Sequence, residues 1–222
     1  MPSQSTEDYI KAIWTLSEGK KDKYAVSTNA LASHLMTSQA SVSEMYKRLA
    51  EKEFIDYVPY RGGSLSPKGR QLAVSLIRRH RLWEVFLHEK LGFGWEEVHD
   101  IAEQLEHVHS QELTKRLATF LDHPSIDPHG DYIPDADGNI PKQRAKPLTG
   151  LSVGVGAQVV GVLDSNSKLL SLLSQKGIAL GTSLCIQSVL PFDDSRVLTL
   201  NGNQSVELSY KACELILIQE NI

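Results

Sequence analysis

The side chains of this 222-residue chain whose spacing carries the most chemistry are imidazoles and carboxylates near its middle. His99, Glu103, Glu106 and His107 recur at offsets that, on a helix, put Glu103, Glu106 and His107 on one face with His99 one turn earlier. His80 and Glu84 stand four apart just upstream, the spacing of neighbours on a second helix face. Five or six such groups converging on one place would repel one another, and a divalent cation removes that cost. The alternative is a set of solvated faces on acidic helices. No H-E-x-x-H is present, so a metalloprotease reading has no motif behind it.

Charge is graded along the chain, although the net value of −4 looks wrong for a nucleic-acid binder. Residues 1–75 carry ten Lys and Arg against eight Asp and Glu. Residues 76–123 carry six against nine and hold six of the eight histidines, and the remainder carries seven against ten. A slightly basic head beside an acidic, histidine-rich middle suggests a polyanion-binding module joined to a cation site.

The elements that must position these groups are legible from periodicity. Tyr9, Ile10, Ile13, Trp14 and Leu16 recur at helical spacing, and Ser5-Thr6-Glu7-Asp8 offers a cap and first-turn acids, so a first helix is expected from near Asp8. After the polar break Glu18 to Asp22, Ser27 or Thr28 caps a short helix with Leu31, Ala32 and Leu35 inward. A turn at Met36-Thr37 leads into a longer helix, Ser38 to about Glu51, with Val42, Met45, Tyr46 and Leu49 on its apolar face. Two helices joined by a tight turn are a helix-turn-helix pattern. Phe54 to Val58, the turn Arg61-Gly62-Gly63 and Ser64 to Ser66 read as a two-stranded wing.

A long helix from Pro67 to about Lys90, apolar on more than one side, and two more over Trp95–Leu105 and Ser110–Leu121 are the inventory of an interface built by helices from two subunits. Asp122 to Pro147 holds five of the nine prolines and reads as linker and loop. Short strands are expected over Gln158–Leu163, Ser183–Leu190, Arg196–Asn201, Val206–Ser209 and Leu215–Gln219, with a helix at Ser167–Lys176. Together they suggest a small SH3-like β-barrel. The fold class is therefore mainly α with a β domain: a winged helix-turn-helix domain at 1–75, a helical metal-binding and dimerisation domain at 76–147, and an SH3-like domain at 148–222.

Composition bounds the rest. At 41% hydrophobic and 23% charged the chain is an ordinary globular protein, and no apolar run approaches the ~20 residues that span a bilayer. Cys185 and Cys213 are far apart with no C-x-x-C, which excludes a disulfide scaffold and a zinc-finger-type site. Residues 1–8 lack a signal-peptide pattern, so a cytoplasmic location is expected.

Three separated segments carry a specific resemblance: Ser5-Thr6-Glu7-Asp8-Tyr9-Ile10, Arg79-His80-Arg81-Leu82-Trp83-Glu84-Val85-Phe86-Leu87 and Val98-His99-Asp100-Ile101-Ala102-Glu103-Gln104-Leu105-Glu106-His107. In this order they resemble the diphtheria toxin repressor family, and most closely its manganese-responsive three-domain branch, over the whole chain. The resemblance implies a primary metal site on Asp8, His80, Glu103, Glu106 and His107. The iron-responsive branch typically has Met at the place of Asp8 and Cys at that of Glu103, so the oxygen-rich set here suits Mn2+, with Fe2+ the alternative. Two-domain manganese regulators often carry a Glu at the position of Lys11, and a binuclear site using that residue is not available here. A second site is implied on Glu84, on Asp127 and His129 of the loop His123-Pro124-Ser125-Ile126-Asp127-Pro128-His129-Gly130, and on Asp164. His99 is a further candidate, since it corresponds to a ligand in the iron-responsive branch.

In the helix-turn-helix reading, Ser38, Gln39, Ser41, Ser43 and Glu44 face base edges or phosphates in the major groove, while Lys47 and Arg61 reach the backbone. With so few basic groups a monomer binds weakly, and a homodimer on double-stranded operator DNA is expected, with no membrane partner. The implied mechanism is a population shift in which bound metal sets the spacing of the two recognition helices, and the implied output is repression of metal-uptake genes. The rival from another class is a metal-dependent hydrolase. A third reading is a winged-helix regulator indifferent to metal.

Overall fold

The computed structural model describes residues 2–17, 25–141 and 144–220, so the polar break expected at Glu18 to Asp22 lies outside the described residues. The chain divides into two compact units. The first comprises Met1–His80, Leu105–Ser110 and Pro134–Asn139, and the second Arg81–Gln104, Gln111–Ile133 and Ile140–Ile222.

In the first unit α1 spans Gln4–Ser17, α2 Thr28–His34 and α3 Gln39–Glu51. α1 starts a turn earlier than its acidic residues suggest, because the Ser3 hydroxyl, not that of Ser5 or Thr6, accepts from a free amide, Thr6 N–H at 3.4 Å. The earlier start puts Glu7 on the stripe of Ile10 and Trp14, all of them buried. α2 and α3 begin where serine side chains accept from the amide three residues ahead: Ser27 from Ala30 N–H and Ser38 from Ser41 N–H. Val42, Tyr46 and Leu49 face inward from α3, and the Tyr46 hydroxyl donates to the Val26 carbonyl at 2.7 Å.

The wing is the antiparallel pair β1 (Ile55–Val58) and β2 (Gly62–Leu65), in register Ile55 to Leu65. Val26 adds a bridge to Gly63. Gly62 is required at this junction: its φ is +102°, and a Cβ there would lie 2.2 Å from the Val26 carbonyl oxygen.

Helix α4 spans Pro67–Leu91, α5 Val98–Leu105 and α6 Gln111–Phe120. α5 ends at Leu105, so Glu106 and His107 sit in the following turn rather than on one helix face with Glu103, a correction to the spacing argument. In the second unit Leu82 and Val85 of α4 pack on Leu117, Ala118, Leu121 and Ile133.

The C-terminal part is a six-stranded antiparallel sheet of β3 (Lys146–Pro147), β4 (Gly156–Val162), β5 (Ser183–Val189), β6 (Arg196–Leu200), β7 (Gln204–Leu208) and β8 (Ile216–Glu220), in the order β3-β8-β4-β5-β6-β7. Bulges between Val159 and Gly161 and between Ile186 and Ser188 bend it around its core, as in a small SH3-like domain. α7 (Ser167–Gln175) contributes Leu170 and Leu173 to that core, and α8 (Tyr210–Leu215), not foreseen from the sequence, contributes Cys213. The five expected strands and the α7 helix appear within a few residues of their predicted limits. Both cysteines are free, and burial pushes the Cys213 thiol up to about 11.

Candidate metal centres and nucleic-acid interface

In the first unit the acids of α1 meet the turn that follows α5. Glu7 and Glu106 have no solvent exposure. Glu7 Oε2 lies 2.7 Å from His107 Nδ1, and His107 Nε2 lies 3.2 Å from Asp8 Oδ1. The ring thus lies between two carboxylates, with Nδ1 on buried Glu7 and Nε2 beside the half-exposed Asp8, where a cation shared with Asp8 would take the Nε2 lone pair. A carboxylate placed like Glu7 behind an imidazole fixes the ring and raises its basicity as a metal ligand.

Glu106 is reached from three sides. Its backbone carbonyl accepts from Arg79 Nε at 2.7 Å, and Arg79 Nη2 is 3.5 Å from Glu7 Oε1. Its Oε2 lies 2.6 Å from His80 Nδ1 and accepts from the Lys11 ammonium, also at 2.6 Å. Lys11 Nζ is in turn 3.2 Å from His80 Nδ1. Among the described residues Glu106 Oε1 has no hydrogen-bond partner. A buried carboxylate oxygen without a partner costs several kcal/mol, on the order of the penalty for an unsatisfied charged group, unless a cation takes it.

Four of the five primary-site residues, Asp8, His80, Glu106 and His107, therefore fall in this unit. Glu103 falls in the other unit, where its Oε1 is 3.6 Å from His99 Nε2. Sequence reasoning missed Glu7, Arg79 and His109, whose Nδ1 lies 3.5 Å from Glu7 Oε1. The signal for Glu7 was its place on the apolar stripe with Ile10 and Trp14. For Arg79 and His109 nothing in the spacing pointed to it.

The second unit holds a tighter cluster. Glu84, Asp127 and His129 are all buried, and one ligand atom from each lies within 4.8 Å of the others. His129 Nε2–H donates to the Trp95 carbonyl at 2.6 Å, which turns Nδ1 toward Glu84 Oε1 at 3.5 Å. His99 Nδ1 is 3.2 Å from the same oxygen. Asp127 Oδ1 accepts from the amides of His129 and Asp131, while Arg81 Nε stands 3.5 Å from Oδ2. Burial, with Glu84 and Asp131 nearby, pushes the Asp127 carboxyl up to about 7 against the pull of Arg81 and His129. Burial pulls the His129 imidazole down, but Glu84 and Asp127 outweigh it and hold it up at about 9. Protons thus compensate charge that a divalent ion would otherwise compensate.

The described part of Asp122–Pro147 is loop up to β3, as expected, but it is an ordered one. This stretch is tied down: Val162 N–H donates to the His129 carbonyl at 3.0 Å, Ile133 N–H to that of Ser125 at 2.9 Å, and Ile126 bridges Tyr132. Gly130 permits the close approach, with φ of +91° and room for no Cβ, which would lie 2.2 Å from the Val160 carbonyl oxygen. Asp164 is not among the converging ligands. It is exposed, and its Oδ1 accepts from Asn166 N–H at 2.9 Å in the turn before α7.

On α3, Gln39, Ser41, Glu44 and Lys47 are exposed, Ser43 is half-buried, and Arg61 is exposed on the wing turn. The Ser38 hydroxyl is committed to the cap, and Glu44 pairs with Arg48.

Residues 1–63 match the family described as the iron dependent repressor, N-terminal DNA binding domain. Residues 66–135 match its metal binding and dimerisation domain, and residues 146–220 the FeoA domain. The chain is 30% identical over 215 residues to the diphtheria toxin repressor of Corynebacterium efficiens, covering 92% of this chain and 90% of that one. It is 36% identical over 123 residues to the HTH-type transcriptional regulator MntR of Oceanobacillus iheyensis, which covers 55% of this chain and 81% of that one. Among solved structures, a manganese-dependent transcriptional repressor in complex with manganese superposes with a TM-score of 0.86 at 35% identity, covering 97% of this chain and 100% of that one.

Proposed function

Because this chain belongs to the diphtheria toxin repressor family, a family of metal-dependent DNA-binding repressors, we propose that it is a Mn2+-activated, dimeric transcriptional repressor of metal-uptake genes. No enzymatic activity is part of this reading, and a cytoplasmic location goes with it. Its organisation is 1–75 for reading DNA, 76–147 for metal binding and dimerisation and 148–222 for the SH3-like domain, which the three matched segments support.

The observation that carries the metal-responsive part is Glu106, a fully buried carboxylate whose Oε1 meets no donor among the described residues. His107 presents Nε2 beside Asp8, which makes a nitrogen and oxygens available around the same turn. Asp8, His80, Glu106 and His107 are the proposed ligands in the first unit, and Glu103 is carried over with them. When bound, a divalent cation supplies the positive charge that these carboxylates lack. α1 brings Asp8, and residues 106–107 lie about a hundred positions away in sequence, so ligation from both ties the amino-terminal helix to that turn. Glu7 orients His107, and Arg79 holds the Glu106 backbone. The tied form favours DNA, and linkage requires DNA to favour metal by the same factor.

Glu84, Asp127 and His129, with His99 on the same Glu84 oxygen, form the proposed second site. Asp164 would join it only after its turn before α7 rearranges. Gln39, Ser41, Ser43 and Glu44 are the proposed base-facing residues, with Ser38 fixing the helix start, and Lys47 and Arg61 the proposed phosphate contacts. The oxygen-rich ligand set favours Mn2+. Fe2+ is the second reading, which the iron-dependent description of the matched domains favours.

The test begins with selection of a duplex from a randomised pool in the presence of Mn2+, followed by anisotropy titrations on it with Mn2+, anaerobic Fe2+ or EDTA. EDTA should weaken binding at least tenfold, and Asp8→Ala and Glu106→Ala should each abolish the dependence on Mn2+. Equal binding by the wild-type chain in Mn2+ and EDTA would overturn the reading.

A further inference from the structure

Trp95 belongs to the turn between α4 and α5, yet its ring is built into the core of the C-terminal sheet. Among the described residues, every other buried member of that core lies between Leu148 and Ile218. The indole Nε1–H donates to the Ser174 hydroxyl of α7 at 2.7 Å, across 79 positions of sequence. The carbonyl of the same residue accepts from His129 Nε2–H at 2.6 Å, and the two ring centroids stand 6.3 Å apart. One residue thus has its side chain in the core of the sheet and its main chain on an imidazole of the Glu84, Asp127 and His129 cluster.

The turn that carries Trp95 is tied at both ends: Phe93 N–H donates to the Leu87 carbonyl at 3.1 Å, and Gly94 N–H to Glu97 Oε2 at 2.8 Å. Two side-chain torsions separate a tryptophan ring from its main chain, so a ring locked in a close-packed core fixes the carbonyl as well. Glu84, by contrast, is borne by α4, and Asp127 faces Arg81 of that helix. The cluster therefore joins a carboxylate carried by α4 to an imidazole steadied from the sheet. Neither Trp95 nor Ser174 is a candidate ligand, and Asp164, the ligand expected from the sheet side, is turned to solvent.

We propose that Trp95 is a positioning residue that couples the proposed second metal site to the C-terminal sheet. Its carbonyl aims His129 while its indole is seated against α7, so that ion binding at the cluster and the packing of α7 depend on each other. The proposal rests on the metal-binding reading of Glu84, Asp127 and His129 and deepens it, because it names how a sheet that supplies none of these three side chains governs the site. Linkage makes the dependence reciprocal: whatever loosens the indole weakens ion binding, and a bound ion steadies α7 by the same factor.

The experiment compares the full-length wild-type chain with Ser174→Ala, Ser174→Thr and Trp95→Phe. Equilibrium dialysis with elemental analysis over a range of free Mn2+ gives the affinity of each uptake step, and the step missing in His129→Gln is that of this site. Ser174 is exposed, so Ser174→Ala removes the acceptor of the indole with little effect on packing. Ser174→Ala and Trp95→Phe should each weaken that step about three- to tenfold and leave the other step unchanged, a partial loss because the Trp95 carbonyl survives both. Ser174→Thr, which keeps the hydroxyl, should bind as wild type does. Hydrogen exchange followed by mass spectrometry should slow across α7 when Mn2+ is added to wild type, and not when it is added to His129→Gln. A Trp95 that only fills the core predicts otherwise: unchanged affinity in Ser174→Ala, equal losses at both steps, no rescue by threonine, or exchange in α7 indifferent to Mn2+. Any of these overturns the proposal and leaves the repressor reading intact, as does a single wild-type uptake step that His129→Gln retains. Should Trp95→Phe fail to fold, Ser174→Ala and its threonine rescue decide. A wild-type chain that takes up no Mn2+ overturns both.

Discussion

Glu7 shows how much a side chain that touches no operator base can contribute. Its carboxylate sits 2.7 Å from His107 Nδ1 with no solvent exposure, so the imidazole is held in one orientation. Glu7→Gln preserves the shape but removes the charge that makes Nε2 a strong donor. A loss of Mn2+ affinity of about 10–100-fold is expected, typical of removing an outer partner of a ligating histidine. Competition against a fluorescent chelator measures it, and affinity equal to wild type would show that Glu7 is a bystander. His129 is oriented by another device, the Trp95 carbonyl, a backbone atom that no substitution at position 95 can easily remove. The two imidazoles therefore differ in how far their orientation can be altered by mutation.

Helix α3 separates two jobs within one amphipathic element. Its buried stripe of Val42, Tyr46 and Leu49 attaches it to the head, and its opposite face carries Gln39, Ser41, Glu44 and Lys47 outward. Ser38 belongs to neither face, since its hydroxyl closes the first turn. Ser38→Ala should cost about 1 kcal/mol of stability, the usual effect of losing a serine cap. Lys47→Ala should leave stability within about 0.5 kcal/mol, as for most exposed sites. It should also lower the slope of log affinity against log salt by about 1, as expected for one lost phosphate contact. Chemical denaturation and DNA titrations at several salt concentrations check the pair. A Ser38→Ala variant of unchanged stability, or a Lys47→Ala variant with an unchanged salt slope, would contradict the division.

For the assembled protein, the apolar residues left outside the core are the proposed place where two copies meet. In the second unit Phe86 and Trp83 are only partly buried, Phe120 on α6 is 64% exposed with its ring centroid 6.2 Å from that of Phe86, and Leu113 on the same helix is exposed as well. These residues lie within the segment that matches a dimerisation domain. Phe120→Asp places a charge in that patch and should convert the dimer to monomer in analytical ultracentrifugation while the far-UV circular dichroism is retained. DNA affinity should fall by two or more orders of magnitude with it, because a monomer cannot sum two half-sites. A stable dimer carrying this substitution would place the interface elsewhere.

The amino-acid order alone determined most of the helices, the wing and most of the strands, because capping serines, glycine turns and the switch from a period of 3.6 to a period of 2 are local properties. It also carried the family motifs, and through them the proposed ligands. Tertiary structure decided what distance along the chain hides: that α1 opens at Ser3 and so buries Glu7, that α5 stops before Glu106, and that Lys11 lies against a carboxylate ninety-five positions away. It also decided that a proline-rich loop is ordered by backbone bonds to β4, which buries Asp127 and His129 and leaves Asp164 in a solvent-facing turn. The physical reason is common to all of these: periodicity reports which face of an element is apolar, whereas the partner of a buried charge is set by packing between segments remote in sequence.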